Sequence, residues 1–221
     1  ETVDFLRQTQ VEYKNTAPRY NTLSLRLNSP LLPHPHQQES LEGWQLHHSR
    51  GVVVLPTGSG KSQVGLMAIE HTKRSTLVVA PTIDLMNQWY DLLCTAFGVE
   101  VGLLGGGYHE IHDLTVSTYD SAYLHMERYG NRFGLVIFDE VHHLPSGAFS
   151  QAAEMCIAPF RLGLSATPER TDEAHLDLVH LVGPVSYRKG IREMAGEVLA
   201  DYRTVKVSVE LSEEEAMALI V

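Results

Sequence analysis

Short apolar runs alternate with longer amphipathic segments through the middle of the chain. Apolar residues recur at helical intervals in the longer segments, as Leu85, Trp89 and Leu93 illustrate. The short runs are apolar on both faces, which is typical of strands in a parallel sheet that helices cover on both sides. We therefore predict an α/β fold with a doubly wound parallel sheet. The predicted strands are 51–55, 75–80, 99–104, 113–118, 135–138 and 161–165, and the predicted helices are 61–71, 85–97, 119–128, 148–157 and 172–180.

The two ends of the chain follow a different pattern. Apolar and polar side chains alternate in 203–211 and in 23–27, which predicts a strand in each segment. The glutamates after Ser212 resemble the first turn of a further helix. Thirty residues cannot easily form a core alone. The predicted division is the tail of an upstream domain with a linker at 1–30, one main domain at 31–202, and the start of a connection to a missing second domain at 203–221.

Composition narrows the class of protein. The chain has 221 residues, 43% of them hydrophobic, and its formal net charge of −10 argues against a strongly basic nucleic-acid module. A local groove can still contact a nucleic-acid backbone through main-chain N–H groups. The longest apolar runs are strand-sized, so no membrane-spanning segment is predicted. We expect an intracellular protein, cytoplasmic in an archaeon or a bacterium and nuclear in a eukaryote.

A phosphate-binding loop is predicted where residues 56–62 read PTGSGKS, between a strand and a helix. Glycines let the main chain approach phosphates, a lysine supplies charge near the β- and γ-phosphates, and a hydroxyl at the helix start can bind Mg²⁺. The first glycine of the full G-x-x-x-x-G-K-[ST] spacing is absent, so a simple glycine-rich turn is the alternative. The flanking strand and helix favour the nucleotide. The predicted ATP-binding residues of the loop are Thr57, Gly58, Ser59, Gly60, Lys61 and Ser62.

A pair of carboxylates follows the apolar strand at 135–138. In an open parallel sheet, ligands bind beyond the carboxyl ends of the strands. Asp139 is therefore predicted to bind Mg²⁺ together with Ser62, and Glu140 to polarise the water that attacks the γ-phosphate. We expect Lys61, Asp139 and Glu140 to be the catalytic residues. This requires the amine and both carboxylates to meet in one cleft at the edge of the sheet.

Small hydroxyl residues follow the strand at 161–165. Hydroxyl groups there could sense the nucleotide state through hydrogen bonds to the turn that contains Asp139 and His142. A plain strand-to-helix turn is the alternative. The predicted coupling residues are His142, Ser165, Ala166 and Thr167.

These motifs, in this order, resemble motifs I, II and III of superfamily 2 helicases. That resemblance implies a RecA-like lobe of the P-loop NTPase type. Ala80–Trp89 resembles motif Ia, Gly105–Gly107 the glycine-rich turn after the third strand, and Val116–Ser121 the next DNA-contacting motif. The stretches DEVHHLPS and GLSATPER are most similar to the XPB helicase subfamily, particularly its archaeal members. The resemblance spans about residues 31–221, and it implies that residues 1–30 are the tail of a damage-recognition-like domain that precedes the motor in this family.

The resemblance also implies roles for individual residues. Gln37 matches a glutamine that reads the adenine edge, although His34 and His36 stand where an arginine and an aromatic residue are usual. Arg170-Thr171-Asp172 stands where archaeal relatives have an Arg-Glu-Asp triplet. The residues expected to contact DNA are Pro81, Thr82, Gln88, Gly106, Thr118 and Arg170.

The function implied by the resemblance is that of an ATP-dependent DNA helicase or translocase in repair or transcription-linked unwinding. ATP and Mg²⁺ are the implied cofactors, forked or single-stranded DNA the implied partner, and a nuclease a candidate partner. The arginine finger of this superfamily lies on a second RecA-like lobe, so we expect the chain alone to be inactive or nearly so. Two alternatives stay open: a nucleotide-binding regulatory or scaffold module, and the helicase-like subunit of a restriction or remodelling enzyme. The presence of Glu140 argues against the first.

Overall fold

The computed structural model describes residue 9 and residues 16–28, 32–145, 147–166 and 174–194. These residues form one eight-stranded sheet with helices on both faces. No helix in this part of the chain has the length and apolar character needed to cross a membrane. The strands are β1 (Arg50–Val54), β2 (Thr76–Ala80), β3 (Val101–Gly105), β4 (Tyr108–His109), β5 (Leu114–Thr118), β6 (Leu135–Phe138), β7 (Phe160–Ser165) and β8 (Val185–Arg188). The helices are α1 (Pro35–Leu46), α2 (Lys61–Thr72), α3 (Ile83–Phe97), α4 (Tyr119–Tyr129), α5 (Gly147–Met155), α6 (Ala174–Leu181) and α7 (Ile191–Met194), with a 3₁₀ turn at Val141–His143.

The sheet is parallel apart from one edge. Its strand order is β4-β3-β5-β2-β6-β7-β1-β8, and each neighbouring pair is parallel except β4 with β3. The interior strands β2 and β6 are buried along their whole length. Because the strands are parallel, the loops that follow them meet at one edge of the sheet. The predicted doubly wound α/β fold is confirmed.

The sheet separates two apolar cores. On one face, the helices α1, α2 and α3 bury side chains such as Trp44, Ile69 and Leu93. On the other face, α4 and α5 bury Met126 and Ala153. Full burial of a large apolar side chain stabilises a fold by about 1.5–3 kcal/mol. Burial on both sides explains why the interior strands β2 and β6 consist almost entirely of apolar residues.

The predicted elements are all present between residues 50 and 181, with bounds that differ by two residues or fewer. The sequence did not predict α1, β4, β8 or α7. Helix α1 buries His36, Gln37 and Ser40 in its first half and Leu41 and Trp44 only after them, so its apolar periodicity is weak. Strands β4 and β8 have two and four residues, and such short runs carry little pattern.

The strand predicted at 23–27 is wrong. Leu23, Leu25 and Leu27 do pack against the core, as their alternation implies. Within residues 16–28, however, the β-pairing is limited to an isolated bridge of Thr22 with Arg74. Alternation of side chains follows from an extended backbone, and it does not require a neighbouring strand.

The predicted division of the chain at residues 30 and 202 stays a prediction. The strand predicted at 203–211 and the helix start after it lie outside the described residues. The segment 16–28 runs along the domain, where Asn28 N donates to Ala96 O at 2.8 Å.

Helix α2 approaches α3 closely at Gly65. A Cβ atom at this position would lie 2.7 Å from Cη2 of Trp89 and 3.7 Å from Cδ1 of Ile137. A distance of 2.7 Å is below ordinary van der Waals contact between carbon atoms. Glycine therefore makes room for the indole ring between the two helices and β6.

We expect Gly65→Ala to lower the free energy of unfolding by about 1–3 kcal/mol, because the added methyl group overpacks the indole. Urea unfolding followed by circular dichroism measures this change. Gly147→Ala, at the start of α5, is the matched control, since nothing lies within 4 Å of a Cβ atom there. Equal stability of the two variants would contradict the packing described here.

Candidate functional site

The PTGSGKS segment forms a loop between β1 and α2. Gly58 and Gly60 have φ angles of 82° and 79°, in the left-handed region that favours glycine. Ser59 is buried, and its Oγ donates to Pro56 O at 2.7 Å. Lys61 is the first residue of α2. The loop thus presents the lysine and the hydroxyl that follows it at the positive end of a helix.

Side chains of helix α1 contact main-chain oxygens of this loop. The Nε2 atom of His36 lies 2.8 Å from Ser59 O. The amide nitrogen of Gln37 donates to Ser59 O at 3.2 Å and to Gly60 O at 3.4 Å, and its Oε1 accepts from His34 N at 2.9 Å. Both side chains are buried. Gln37 therefore supports the phosphate loop, and its predicted contact with adenine stays a prediction.

The ammonium group of Lys61 lies against the main chain at the start of the loop. Its Nζ is 3.4 Å from Leu55 O and 3.5 Å from Pro56 O, longer than the 2.7–3.2 Å of typical N–H···O bonds. The same charge lies close enough to Asp139 to counter the rise in the pKa of that carboxyl group. The amine and this carboxylate therefore share one site.

Asp139 is the most constrained polar group of the site. It is 9% exposed at the end of β6. The indole Nε1 of Trp89 donates to Oδ2 at 2.8 Å, and Glu140 N donates to Oδ1 at 3.1 Å. Burial raises the pKa of Asp139, while the Trp89 hydrogen bond and the charge of Lys61 oppose that rise. A carboxylate offers about four lone pairs, so both oxygens can accept a further bond.

A second aromatic residue holds the backbone at the same position. The hydroxyl of Tyr119, the first residue of α4, donates to Asp139 O at 2.9 Å. Burial raises the pKa of Tyr119 well above its usual value, and the charges of Asp139 and Glu140 add to the rise. The phenol therefore keeps the proton that it donates.

Glu140 adopts a strained backbone conformation. Its φ angle is 46°, in a region that costs a residue other than glycine on the order of 1–3 kcal/mol. Such strain is frequent at functional sites. The Nδ1 of His142 lies 3.5 Å from Oε2 of Glu140. This contact joins two of the residues that the sequence predicted for the site.

The strand β7 lies between β6 and β1, and its carboxyl end reaches the same site. Ser165 is buried there, and its carbonyl oxygen accepts from Leu55 N at 3.0 Å, at the start of the phosphate loop. Ala166 lines a cavity of about 540 Å³ together with Pro56 and the segment 188–193. Thr167 and Arg170 lie outside the described residues.

Four of the residues predicted to contact DNA lie along the other half of this edge, at or just after the ends of β2, β5 and β3: Pro81, Thr82, Thr118 and Gly106. Thr82 caps α3 by accepting a hydrogen bond from Leu85 N at 3.2 Å. Thr118 caps α4 by accepting from Ser121 N at 3.3 Å. A Cβ atom at Gly105 would lie 3.1 Å from Oγ1 of Thr118, so the glycine-rich turn adjoins this cap.

The other predicted DNA contacts surround these two caps. Gly106 is exposed with a φ angle of 60°, and a Cβ atom there would lie 3.5 Å from Cγ2 of Ile83. Pro81 is half-buried directly after β2, and Gln88 is exposed on α3.

The parallel strands bring the predicted nucleotide residues together. Adjacent strands lie about 4.8 Å apart, and β1, β7 and β6 are consecutive in the sheet. The phosphate loop, Ser165 and Asp139 therefore follow neighbouring strands at one edge. The oxygen donors of Ser62 and Asp139 are of the hard type that Mg²⁺ prefers, so these residues fit a metal-bound nucleotide.

Sequence reasoning missed three contacts of this site. Trp89 was assigned to the core, which its 2% exposure supports, but its bond to Asp139 was not foreseen. Tyr119 and His36 were given no role in supporting the site. A buried indole or phenol usually finds a hydrogen-bond acceptor, so a polar partner for Trp89 could have been expected, although its identity could not.

Comparison with known proteins identifies a family to which the chain belongs. Residues 31–170 match the family described as Type III restriction enzyme, res subunit. The chain is 47% identical over 180 residues to the DNA 3'-5' translocase XPB2 of Sulfurisphaera tokodaii, covering 81% of this chain and 41% of that protein. It is 33% identical over 196 residues to the DNA 3'-5' helicase XPB of Kineococcus radiotolerans, covering 83% and 35%. The chain thus spans less than half the length of either curated relative.

A solved structure with a similar fold is the UvsW helicase from bacteriophage T4. It superimposes with a TM-score of 0.58 at 17% identity, over 84% of this chain and 76% of that chain. An identity this low supports the fold alone.

We expect Gln37→Ala to weaken binding of Mg·ADP to the chain by roughly twofold to tenfold, because each lost hydrogen bond contributes about 0.5–1.5 kcal/mol. Isothermal titration calorimetry measures the affinity. Gln38→Ala is the control: Gln38 is the exposed neighbour on α1, and its amide contacts Glu42 at 3.0 Å, away from the loop. Equal affinities of the two variants would show that α1 does not support the phosphate loop.

Proposed function

Because the chain belongs to the family of the type III restriction enzyme res subunit and to the XPB-like members of the superfamily 2 helicases, we propose that it is the ATP-binding lobe of an ATP-dependent DNA helicase or translocase. The observation that carries the proposal is the common edge of β1, β7 and β6. There the phosphate loop and Asp139 lie close enough for the charge of Lys61 to act on the carboxylate.

In this proposal the phosphate loop binds the nucleotide. The main-chain N–H groups of 57–62 and the ammonium of Lys61 bind the β- and γ-phosphates. The contacts of Lys61 with Leu55 O and Pro56 O are long, so phosphate oxygens can replace them at little cost. Gln37 holds the loop through its amide nitrogen, and its Oε1, which accepts from His34 N, would use a second lone pair to accept from the adenine.

The acidic turn supplies the chemistry of hydrolysis. Ser62 and Asp139 would hold Mg²⁺, which when bound neutralises the charge that develops on the phosphate oxygens. Glu140 would orient a water molecule and accept its proton, and the Nδ1 of His142 lies 3.5 Å from its carboxylate. Ser165, next to the phosphate loop, would report the nucleotide state to the rest of the lobe.

The other half of the edge is proposed to contact DNA. Thr82 and Gly106 offer a hydroxyl and a main-chain donor, which bind phosphates without reading bases. Thr118 lies beside them, and its own hydroxyl donates to Ser121 Oγ at 3.1 Å. Pro81 and Gln88 flank them. With a net charge of −10, the lobe has no overall positive field, so these local donors carry the contact.

A second candidate function is that of a motor subunit in a restriction enzyme, because the matched family model carries that description. The XPB-type names of both curated relatives favour the first candidate. A purely regulatory module would not need Glu140, so this residue argues for hydrolysis.

We expect the 221-residue chain to bind Mg·ATP weakly and to release phosphate slowly or not at all. The arginine finger that the superfamily places on a second lobe is worth about 10³–10⁵ in rate in related NTPases. Calorimetry on the chain measures the binding, and a phosphate-release assay on both the chain and the full-length native protein measures the turnover. Equal turnover by the chain and the full-length protein would show that no second lobe is needed.

We expect Glu140→Gln in the full-length protein to lower DNA-stimulated ATP hydrolysis by at least about a hundredfold, because a general base contributes about 10²–10⁴. Binding of Mg·ATP should persist, since the phosphate loop is unchanged. Glu127→Gln, at an exposed position on α4, is the matched control. Full activity of the Glu140→Gln variant would refute the assignment of this carboxylate.

A further inference from the structure

Two buried aromatic residues hold Asp139, and they come from two different helices. Trp89 on α3 donates to the side chain at 2.8 Å, and Tyr119 on α4 donates to the main-chain oxygen at 2.9 Å. Both residues are at most 2% exposed. The acidic turn is therefore fixed from both faces of the sheet, since α3 and α4 pack on opposite sides.

A comparison within the chain shows what is special about Trp89. The other tryptophan, Trp44, is also fully buried, and its indole donates to the main-chain oxygen of Arg161 at 2.8 Å. A main-chain oxygen is therefore a sufficient acceptor for the N–H group of a tryptophan buried in the core. Trp89 instead donates to a carboxylate, and a hydrogen bond to an ionised acceptor is stronger and more directional.

The ring of Trp89 also contacts the helix that follows the phosphate loop. The space at Gly65 of α2 is filled by the indole, as the 2.7 Å distance to Cη2 indicates. The indole is thus wedged between α2 and the carboxylate, with little freedom to turn. A group held in this way can fix the direction in which Asp139 presents its lone pairs.

We propose that Trp89 and Tyr119 are positioning residues that set the geometry of Asp139 for a metal-bound nucleotide and tie it to the two helices capped by Thr82 and Thr118. This inference rests on the proposed function, because it assigns the metal to Asp139. Partners of metal ligands commonly change metal affinity by 10–100-fold when they are lost. Each helix is a rigid element, so the acidic turn and the two caps are expected to move together.

The first experiment uses Trp89 as its own reporter. The chain contains two tryptophans, so Trp44→Phe leaves Trp89 as the single one. We expect its fluorescence emission to change on titration with Mg·ADP and to change much less with ADP and EDTA. The added substitution Asp139→Asn should remove the magnesium-dependent part. A chain with Trp89→Phe retains only Trp44 and should show no magnesium-dependent change.

The second experiment measures affinity. The ratio of the ADP dissociation constants without and with Mg²⁺ gives the gain due to the metal, and calorimetry supplies both constants. We expect Trp89→Phe to reduce this gain by about tenfold and to leave the magnesium-free constant unchanged. Trp44→Phe, which also removes one buried indole donor, should leave both constants unchanged. Tyr119→Phe should reduce the gain by a smaller factor, roughly twofold to tenfold, and Tyr123→Phe on the same helix should not.

The outcomes separate this inference from the proposed function. If the wild-type chain binds ADP with a gain from Mg²⁺ but Trp89→Phe keeps the gain of Trp44→Phe, the positioning role is overturned and the proposed function stands. If the wild-type chain shows no binding, both are overturned. Should Trp89→Phe fail to fold, as circular dichroism would reveal, the fluorescence of Trp89 decides alone. An emission that saturating Mg·ADP leaves unchanged counts against the inference.

Discussion

A buried carboxylate is the constraint on which this domain depends. Asp139 is buried at the end of β6. Burial of an ionised group costs free energy unless hydrogen bonds and opposite charge compensate for the lost hydration. The compensation comes from the Trp89 indole, the Glu140 amide and the charge of Lys61. These groups belong to three segments that are distant in sequence. The order of the strands in the sheet is what allows them to meet.

The fold was predictable because a parallel sheet buried on both faces gives uninterrupted apolar runs, as in Leu135–Phe138. Helix α1 was not predictable, because its inner face carries His36 and Gln37. The burial of these polar residues is explained only by the loop that they contact. The segment 23–27 shows the opposite error. Its leucines alternate and face the core, yet Leu27 N donates to the side chain of Glu70 on α2 and Leu23 N donates to Lys73 O just after that helix, and no local pattern encodes these acceptors.

The catalytic part of the site was predictable to the residue type, because phosphate and Mg²⁺ chemistry demands a glycine loop, a lysine, a hydroxyl and a carboxylate at strand ends. The residues that hold these groups in place were not predictable. Trp89 and Tyr119 carry ordinary core signatures, and their hydrogen bonds depend on which strands become neighbours. The same holds for the left-handed backbone of Glu140, since a strained conformation leaves no trace in composition. Sequence thus identifies the groups proposed to react, and tertiary packing identifies the groups proposed to orient them.

The two threonine caps have a consequence for how a nucleic-acid strand would be held. Each threonine hydroxyl accepts a hydrogen bond from an N–H group of its own helix. The hydroxyl of Thr82 can therefore donate its proton to a phosphate oxygen while it still caps α3. Contacts made by neutral donors displace few condensed counterions. The affinity of the proposed DNA contact would then vary weakly with ionic strength, unlike the affinity of grooves rich in arginine and lysine. Binding would therefore persist at high salt concentration.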